Sequence, residues 1–229
     1  MAIDTGFGRV ELFDDFLGDV ILDQYSTGAD TGGSGGSTAI TAAVNGVLRI
    51  TTDDQTTGDR IALTHELNWQ ASDSGPLVLE ARIKSVTDIL LRAYFIGFTD
   101  VLASSTTVEN PIEMSGTTLA SAADNAVGFM YGTASGTDTW YGVGTKSTVD
   151  ATALDTGRAP AAAGTWETLR VVVDVTGNAT FFINGEYMGA VANAVTSTTD
   201  LTPIIMVEAR EGAAKILDVD YLHVIGGRT

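Results

Sequence analysis

Two short phrases in the sequence alternate opposite charges, Glu80-Ala81-Arg82 and Glu208-Ala209-Arg210. On a β-strand, side chains at i, i+2 and i+4 share a face, and carboxylates so spaced can supply both nucleophile and acid to one glycosidic bond. That chemistry asks for Glu-x-Asp-x-Glu, which the sequence lacks. Glu80, Arg82, Glu208 and Arg210 are therefore expected to be structural, with the two phrases on neighbouring strands forming a cross-strand charge ladder. Each exposed pair in such a ladder is worth about 0 to 1 kcal/mol. The only imidazoles are His65 and His223. No nucleophile elbow, a Ser on a strand-to-helix turn, supports a Ser-His-Asp hydrolase. His65 reads as capping a strand end and His223 as a partly buried packing residue. No catalytic residue and no enzymatic activity are expected.

Carboxylates are plentiful enough to raise the question of calcium, which takes hard oxygen ligands. Asp14, Asp15, Asp53, Asp54, Asp218 and Asp220 come in close pairs, yet none sits in an Asp-x-Asp-x-Asp-Gly loop. They read as solvated surface, and no metal or other cofactor is expected. A carbohydrate site needs aromatic platforms and convergent polar groups. Trp69, Trp140 and Tyr141 are the candidates for glycan contact, against the competing reading that each packs in the core. Gly32-Gly33-Ser34-Gly35-Gly36 has no lysine and no following helix, so it reads as loop and not as a phosphate cradle.

Composition narrows the partners. Of the 229 residues, 29 are Asp or Glu and 12 are Lys or Arg, for a formal net charge of -17. Such a chain lacks the cationic surface that nucleic acid or anionic lipid requires. With 44% hydrophobic and 18% charged residues the chain is folded rather than disordered. The absence of Cys excludes disulfides, thiolate metal sites and cysteine nucleophiles, so stability comes from packing. No run reaches the roughly 18 to 20 apolar residues of a spanning helix. The opening Met1-Ala2-Ile3-Asp4-Thr5-Gly6 lacks the basic and apolar regions of a secretory signal, so synthesis and assembly in a cytoplasm are expected.

The elements that must position these residues are strands. In Leu77-Val78-Leu79-Glu80-Ala81-Arg82-Ile83-Lys84 the apolar set Leu77, Leu79, Ala81, Ile83 alternates with a polar face. Leu169, Val171 and Val173 alternate likewise, with Val172 the exception, as do Ile205, Val207 and Ala209. Leu217, Val219 and Tyr221 are expected on one face, with Asp218 and Asp220 on the other. Further strands are predicted over 10–13, 38–44, 47–51, 60–64, 89–99, 127–131, 140–144, 179–184 and 216–225. Asn45-Gly46 and Asn184-Gly185 sit where two-residue hairpin turns need positive φ. Gly-, Ser- and Thr-rich stretches at 26–37, 102–125 and 145–164 read as long surface loops, with one short helical turn near 119–125. Residues 1–229 then form a single all-β domain, a two-sheet antiparallel sandwich with residues 1–8 as an N-terminal arm.

Five phrases together carry a resemblance: Glu11-Leu12-Phe13-Asp14-Asp15-Phe16-Leu17-Gly18-Asp19, Leu79-Glu80-Ala81-Arg82-Ile83-Lys84, Thr165-Trp166-Glu167-Thr168-Leu169-Arg170-Val171, Phe181-Phe182-Ile183-Asn184-Gly185 and Leu217-Asp218-Val219-Asp220-Tyr221-Leu222-His223-Val224. Their order resembles the concanavalin A-like jelly rolls of laminin-G and legume-lectin type. Within that group the chain looks most like the lectin-like structural proteins of tailed bacteriophages. The resemblance implies a jelly roll whose first and last strands pair near one edge. It also implies a non-enzymatic virion protein of the capsid decoration or cement type, located on the virion surface and assembled in the host cytoplasm. Its partner would be the major capsid protein of the phage, bound by homo-oligomers such as trimers through residues 1–8 and the long loops. The alternative is a lectin-like module on a phage head or tail that binds a host glycan. A polysaccharide-cleaving enzyme is the third class to be distinguished.

Overall fold

The computed structural model describes residues 2–4, 9–18, 20–30, 36–41, 46–54, 57–71, 75–103 and 108–227. Its strands begin with β1 (Ala2–Asp4), β2 (Arg9–Asp14), β3 (Ser26–Asp30), β4 (Ser37–Thr41), β5 (Val47–Thr51) and β6 (Arg60–Thr64). The middle of the chain forms β7 (Leu77–Ser85), β8 (Arg92–Thr99), β9 (Ile112–Ser115), β10 (Thr118–Ser121), β11 (Ala126–Gly132), β12 (Tyr141–Lys146), β13 (Val149–Asp150) and β14 (Leu154–Asp155). The last part forms β15 (Glu167–Val173), β16 (Ala179–Ile183), β17 (Glu186–Val191), β18 (Thr202–Ala209) and β19 (Ile216–Gly227). One sheet runs β1-β2-β19-β7-β15-β16-β17, with β5 pairing the first half of β19 and β4 pairing β5. The facing sheet runs β13-β12-β11-β8-β18-β6-β3, with β14 also against β12, and β9 and β10 form a separate hairpin. The expected pairing of an early and a late strand is β2 against β19.

Alternation builds the first sheet as the sequence predicts. Leu77, Leu79, Ala81 and Ile83 are buried, while Val78, Glu80, Arg82 and Lys84 lie on the half-exposed outer face. The irregular Val172 is on that outer face too, in register with Val78. Asn184 and Gly185 turn β16 into β17 with φ of 51° and 79°, the type I′ geometry that Asn-Gly favours. In β19 the register shifts between Val219 and Tyr221. This bulge moves Tyr221 to the outer face, where its hydroxyl donates to Glu80 at 2.7 Å, and Leu222 and Val224 take over the inward positions. The expectation that Tyr221 shares a face with Leu217 and Val219 is thereby corrected. Asp218 does face outward, but it is covered by Arg49 at 2.7 Å and Lys84 at 3.1 Å.

The second sheet is buried on both faces. Tyr94, Ile96, Phe98, Phe129, Ile205 and Val207 point between the sheets and meet Leu79, Leu169, Phe181 and Val224. Their neighbours along the strands, Phe95, Met130, Ile204 and Met206, point the other way into a second apolar cluster with Val108, Ile112 and Met114. The segment read as the surface loop 102–125 is thus in part a lid. Among its described residues are the β9–β10 hairpin and strand geometry up to Ser121, where the sequence reading placed a helical turn. The stretch 26–37 likewise contains β3 and the start of β4, and 145–164 contains β13 and β14. Residues 2–4 of the expected arm pair with β2. Residues 31–35 and 45 lie outside the described residues, and with them most of the glycine run and one predicted turn residue.

The lid is pinned by charge as well as by apolar contact. Glu208 on β18 is buried and bonded to Arg60 and Arg210, both at 3.1 Å, and Arg60 reaches Glu113 on β9 at 2.9 Å. The expected ladder between Glu80-Arg82 and Glu208-Arg210 does not form, because β7 and β18 lie in opposite layers and their outward side chains diverge. Arg82 instead pairs with Asp220 at 2.7 Å within its own sheet.

At one end of the sandwich His65 is 7% exposed, wedged edge-on between Tyr25 at 5.6 Å and Trp69 at 6.3 Å. Its backbone, not its ring, does the work at the end of β6: the carbonyl accepts from the Thr202 hydroxyl at 2.5 Å. His223 is half-buried on the outer face and meets Glu11 at 2.7 Å.

Two outcomes are expected. Ile112→Ala removes a fully buried lid side chain and should cost about 2–5 kcal/mol, read as a shift in the urea midpoint. Burial lowers the pKa of the His65 imidazole, an effect that Glu66 only partly offsets. The unfolded chain then takes up this proton near pH 6.5, before the folded one does. Stability from this group is therefore full above pH 6.5 and is lost as pH falls toward the folded value. The difference in melting temperature between wild type and His65→Phe should accordingly shift against wild type between pH 7.5 and 5.5. A constant difference would exclude the effect.

Candidate functional site

Where the lid ends, the second sheet is left partly open. Along β12, Tyr141, Val143 and Thr145 face outward, while Gly142 and Gly144 face the core. Glycine is required there by close approach: a Cβ on Gly142 would sit 2.8 Å from the Phe181 ring. The chain leaves β12 through Ser147 and Thr148, with φ of 48° and 68°, values costly for a β-branched residue. Asn125 Oδ1 accepts from the Ser147 N–H at 3.2 Å, and the Asp124 carbonyl accepts from the Thr148 N–H at 2.9 Å, fixing this turn. Residues 149–155 then run back along β12, pairing at Thr145–Asp150 and at Tyr141–Asp155.

A cleft of about 590 Å3 lies between this returning segment and the lid hairpin, within the usual size for small-molecule sites. Met114 and Leu119 form one wall, and Ala151, Ala153 and Asp155 the other. Asp155 is held from three sides. Its carboxylate accepts from the Thr139 hydroxyl at 2.7 Å, the Gly157 N–H at 2.9 Å and the Thr137 hydroxyl at 3.2 Å. The Thr139 bond, then the Gly157 N–H, hold its pKa below the usual carboxylate range. Thr137 also meets the Tyr141 hydroxyl at 2.5 Å. The result is an ionised acceptor, hydroxyls and the polar end of a phenol beside an apolar wall.

Of the three aromatic candidates for glycan contact, only Tyr141 lines this cleft, and at 6% exposure it is packed in the second apolar cluster and offers no open ring face. Trp69 is 4% exposed in the core beside His65. Trp140 is fully buried, stacked on Tyr94 at 5.9 Å, and its indole N–H donates to Glu167 at 3.2 Å. Glu167 is itself buried, which pushes its carboxyl pKa up. These two indoles are packing residues and cannot act as platforms. Sequence reading missed Asp155, Thr137 and Thr139. Their one signal is Thr137-Asp138-Thr139, whose i, i+2 hydroxyls converge on one carboxylate. Among the acids weighed for calcium, Asp14 accepts from the Phe16 N–H at 2.8 Å, Asp53 from the Asp54 N–H at 2.6 Å, and Asp218 and Asp220 are ion-paired. No group of three or more His, Asp or Glu among the described residues is placed to hold a metal ion.

Comparison of the whole structure with solved ones decides the architecture. The carbohydrate recognition domain of Emp47p superposes over 100% of this chain and 98% of its own, at TM-score 0.60 and 9% identity. Peanut lectin covers 95% and 97% at 0.60 and 10%. The fold is a concanavalin A-like jelly roll. An endo-1,3-beta-glucanase from Streptomyces sioyaensis shares it, covering 97% and 98% at TM-score 0.60 and 15% identity. No family model matches the sequence, and no curated protein matches it.

The strained turn beside the cleft gives a direct test of local backbone energetics. Thr148→Asn, a residue tolerant of positive φ, should raise stability by about 1 kcal/mol in chemical denaturation.

Proposed function

We propose that the protein is a non-catalytic glycan-binding module whose ligand sits in the cleft beside Tyr141. The observation that carries this reading is the preorganised Asp155 carboxylate. Held ionised by Thr139 and Gly157, it is an acceptor for adjacent sugar hydroxyls, while Met114 and Leu119 offer an apolar wall to the C–H face of a pyranose ring. The similarity in fold to a carbohydrate recognition domain and to a lectin supports the same reading.

Binding without cleavage is favoured by the spacing of the acids. Asp150 and Asp155 both line the cleft, but they pair with Thr145 and Tyr141 of one strand. Four residues of strand put their backbones about 13 Å apart, against carboxyl separations of about 5 to 9.5 Å in glycosidases. A carboxylate held below its usual pKa range is also a poor general acid at neutral pH.

A second reading, a virion-surface subunit docked on a major capsid protein, is supported by the segment between β2 and β3. Leu17, Val20 and Leu22 are 65%, 75% and 41% exposed there, an apolar strip suited to a protein partner. Mass spectrometry of purified particles separates the two locations: stoichiometry near that of the capsid protein supports decoration, and a handful of copies supports a tail component.

For the glycan reading, Asp155→Asn removes the charge on the hydrogen bonds to the ligand. It should weaken binding of an oligosaccharide found on a glycan array by roughly ten- to a hundredfold, measured by calorimetry with the fold checked by circular dichroism. Unchanged affinity, or release of new reducing ends by the wild type, would overturn the reading.

A further inference from the structure

A second cleft, of about 530 Å3, adjoins the first and shares Asp150, Ala151 and Thr152 with it. These three residues form a ridge with a recess on either side. Beyond the ridge stand Lys146, Ser147, Val149 and Asn193. The chemistry of the two recesses is opposite. The first presents the Asp155 acceptor. The second presents the Lys146 ammonium, whose side chain is half-exposed and touches Asn193 Oδ1 at 3.5 Å.

Lys146 shares with Arg9 and Arg170 the lack of a carboxylate partner among the described residues, and of these three it alone lines either of the two adjoining clefts. The chain carries 29 carboxylates for 12 cations, and Arg49, Arg60, Arg82, Lys84, Arg158 and Lys215 are all engaged by acids. Among the described residues Lys146 has no carboxylate at ion-pair distance. Its position is fixed by the turn that follows it, where Ser147 is tied to Asn125 and Thr196. An ammonium held at the rim of a recess, unneutralised in a chain of net charge -17, is a donor set for an anion.

We infer that the ligand is an extended glycan bearing an anionic substituent. Its neutral hydroxyls bind at Asp155, the chain crosses the Asp150–Thr152 ridge, and a carboxylate or sulfate group reaches Lys146. The inference rests on the glycan reading of the first cleft and adds length, charge and direction to it. Tyr141 and Lys146 lie five residues apart on β12, about 17 Å along the strand, and the odd spacing puts them on opposite faces of the sheet, so the chain must pass over the Asp150–Thr152 edge, a path longer than one sugar ring covers. Val149, 68% exposed on the rim, supplies apolar contact along the way. Since the acceptor and the donor lie at opposite ends, the chain binds in one orientation only.

The test uses the full chain and three oligosaccharides of equal length, one neutral, one uronate-bearing and one sulfated, titrated by calorimetry in low and high salt. An anionic chain should bind about tenfold more tightly than the neutral one, with the margin shrinking in high salt. Lys146→Gln, on a half-exposed side chain, should bring the anionic chain down to the neutral one's affinity. Whichever anionic probe holds the larger margin identifies the substituent as carboxylate or sulfate. Equal affinity for all three, or a margin that survives Lys146→Gln, overturns the inference, while loss of binding in Asp155→Asn keeps the first cleft as the glycan site. If no probe binds at all, the inference and the glycan reading fall together.

Discussion

The architecture turns on one constraint: the sheet built on β8, β11 and β18 is apolar on both faces. Every residue of these three strands is buried. An antiparallel sheet in a two-layer sandwich ordinarily has one wet face, so here a second cover is obligatory. The β9–β10 hairpin and the chain around it supply that cover. Ile112 and Met114 provide the apolar contact, and the Glu208–Arg60–Glu113 bridge fixes its position. Burying the Glu208 carboxylate is tolerable because Arg60, Arg210 and Asn110 all reach it, which meets the rule that a buried charge be paired and hydrogen-bonded.

The site follows from where this cover stops. Among the described residues the outward face of the second sheet is covered over β8 and β18, and its larger cleft lies toward β12. There the lid hairpin and the 149–155 segment leave a gap. A cleft so formed has one wall from the lid and one from the sheet's own edge, which is why its lining mixes methionine and leucine with a carboxylate and hydroxyls. Asp155 is positioned by backbone pairing to Tyr141 on β12 and by Thr137 and Thr139 of the β11–β12 connection, so one side of its geometry belongs to the sheet. This is the rigidity a binding site needs if ligand affinity is not to be offset by the ordering of its own side chains.

Much of this was legible in the residues themselves. Period-two alternation located β7 and β15 and their inward sets, and Asn184-Gly185 located the β16–β17 turn. The resemblance carried by five phrases pointed to the jelly roll found here. What stayed hidden was non-local. The bulge that turns Tyr221 outward leaves no mark in Val219-Asp220-Tyr221. The continuous apolar runs Ala93–Ile96 and Ile204–Val207 do announce two buried faces, but not which segment covers the second one. Thr117, Thr118 and Ser121 made the lid look like surface, although Ile112, Met114 and Ala123 bury it. Trp140 and Tyr141 are neighbours in sequence, and alternation sends one to the core and the other to the cleft. Residue type alone cannot separate them.

The long β19 has a bearing on how the molecule comes into being. It is hydrogen-bonded to β2 and β5 on one side and to β7 on the other, so the first layer has no continuous middle until residues 216–227 leave the ribosome. Before then β2 and β7 are unjoined edges, and the apolar surface of the opposite layer has nothing complete to close against. Chain order therefore makes closure of this layer wait for its latest strand and rest on distant pairings, the slow regime for β proteins. During that interval the nascent polypeptide depends on its strong negative charge to keep exposed edges of different copies apart.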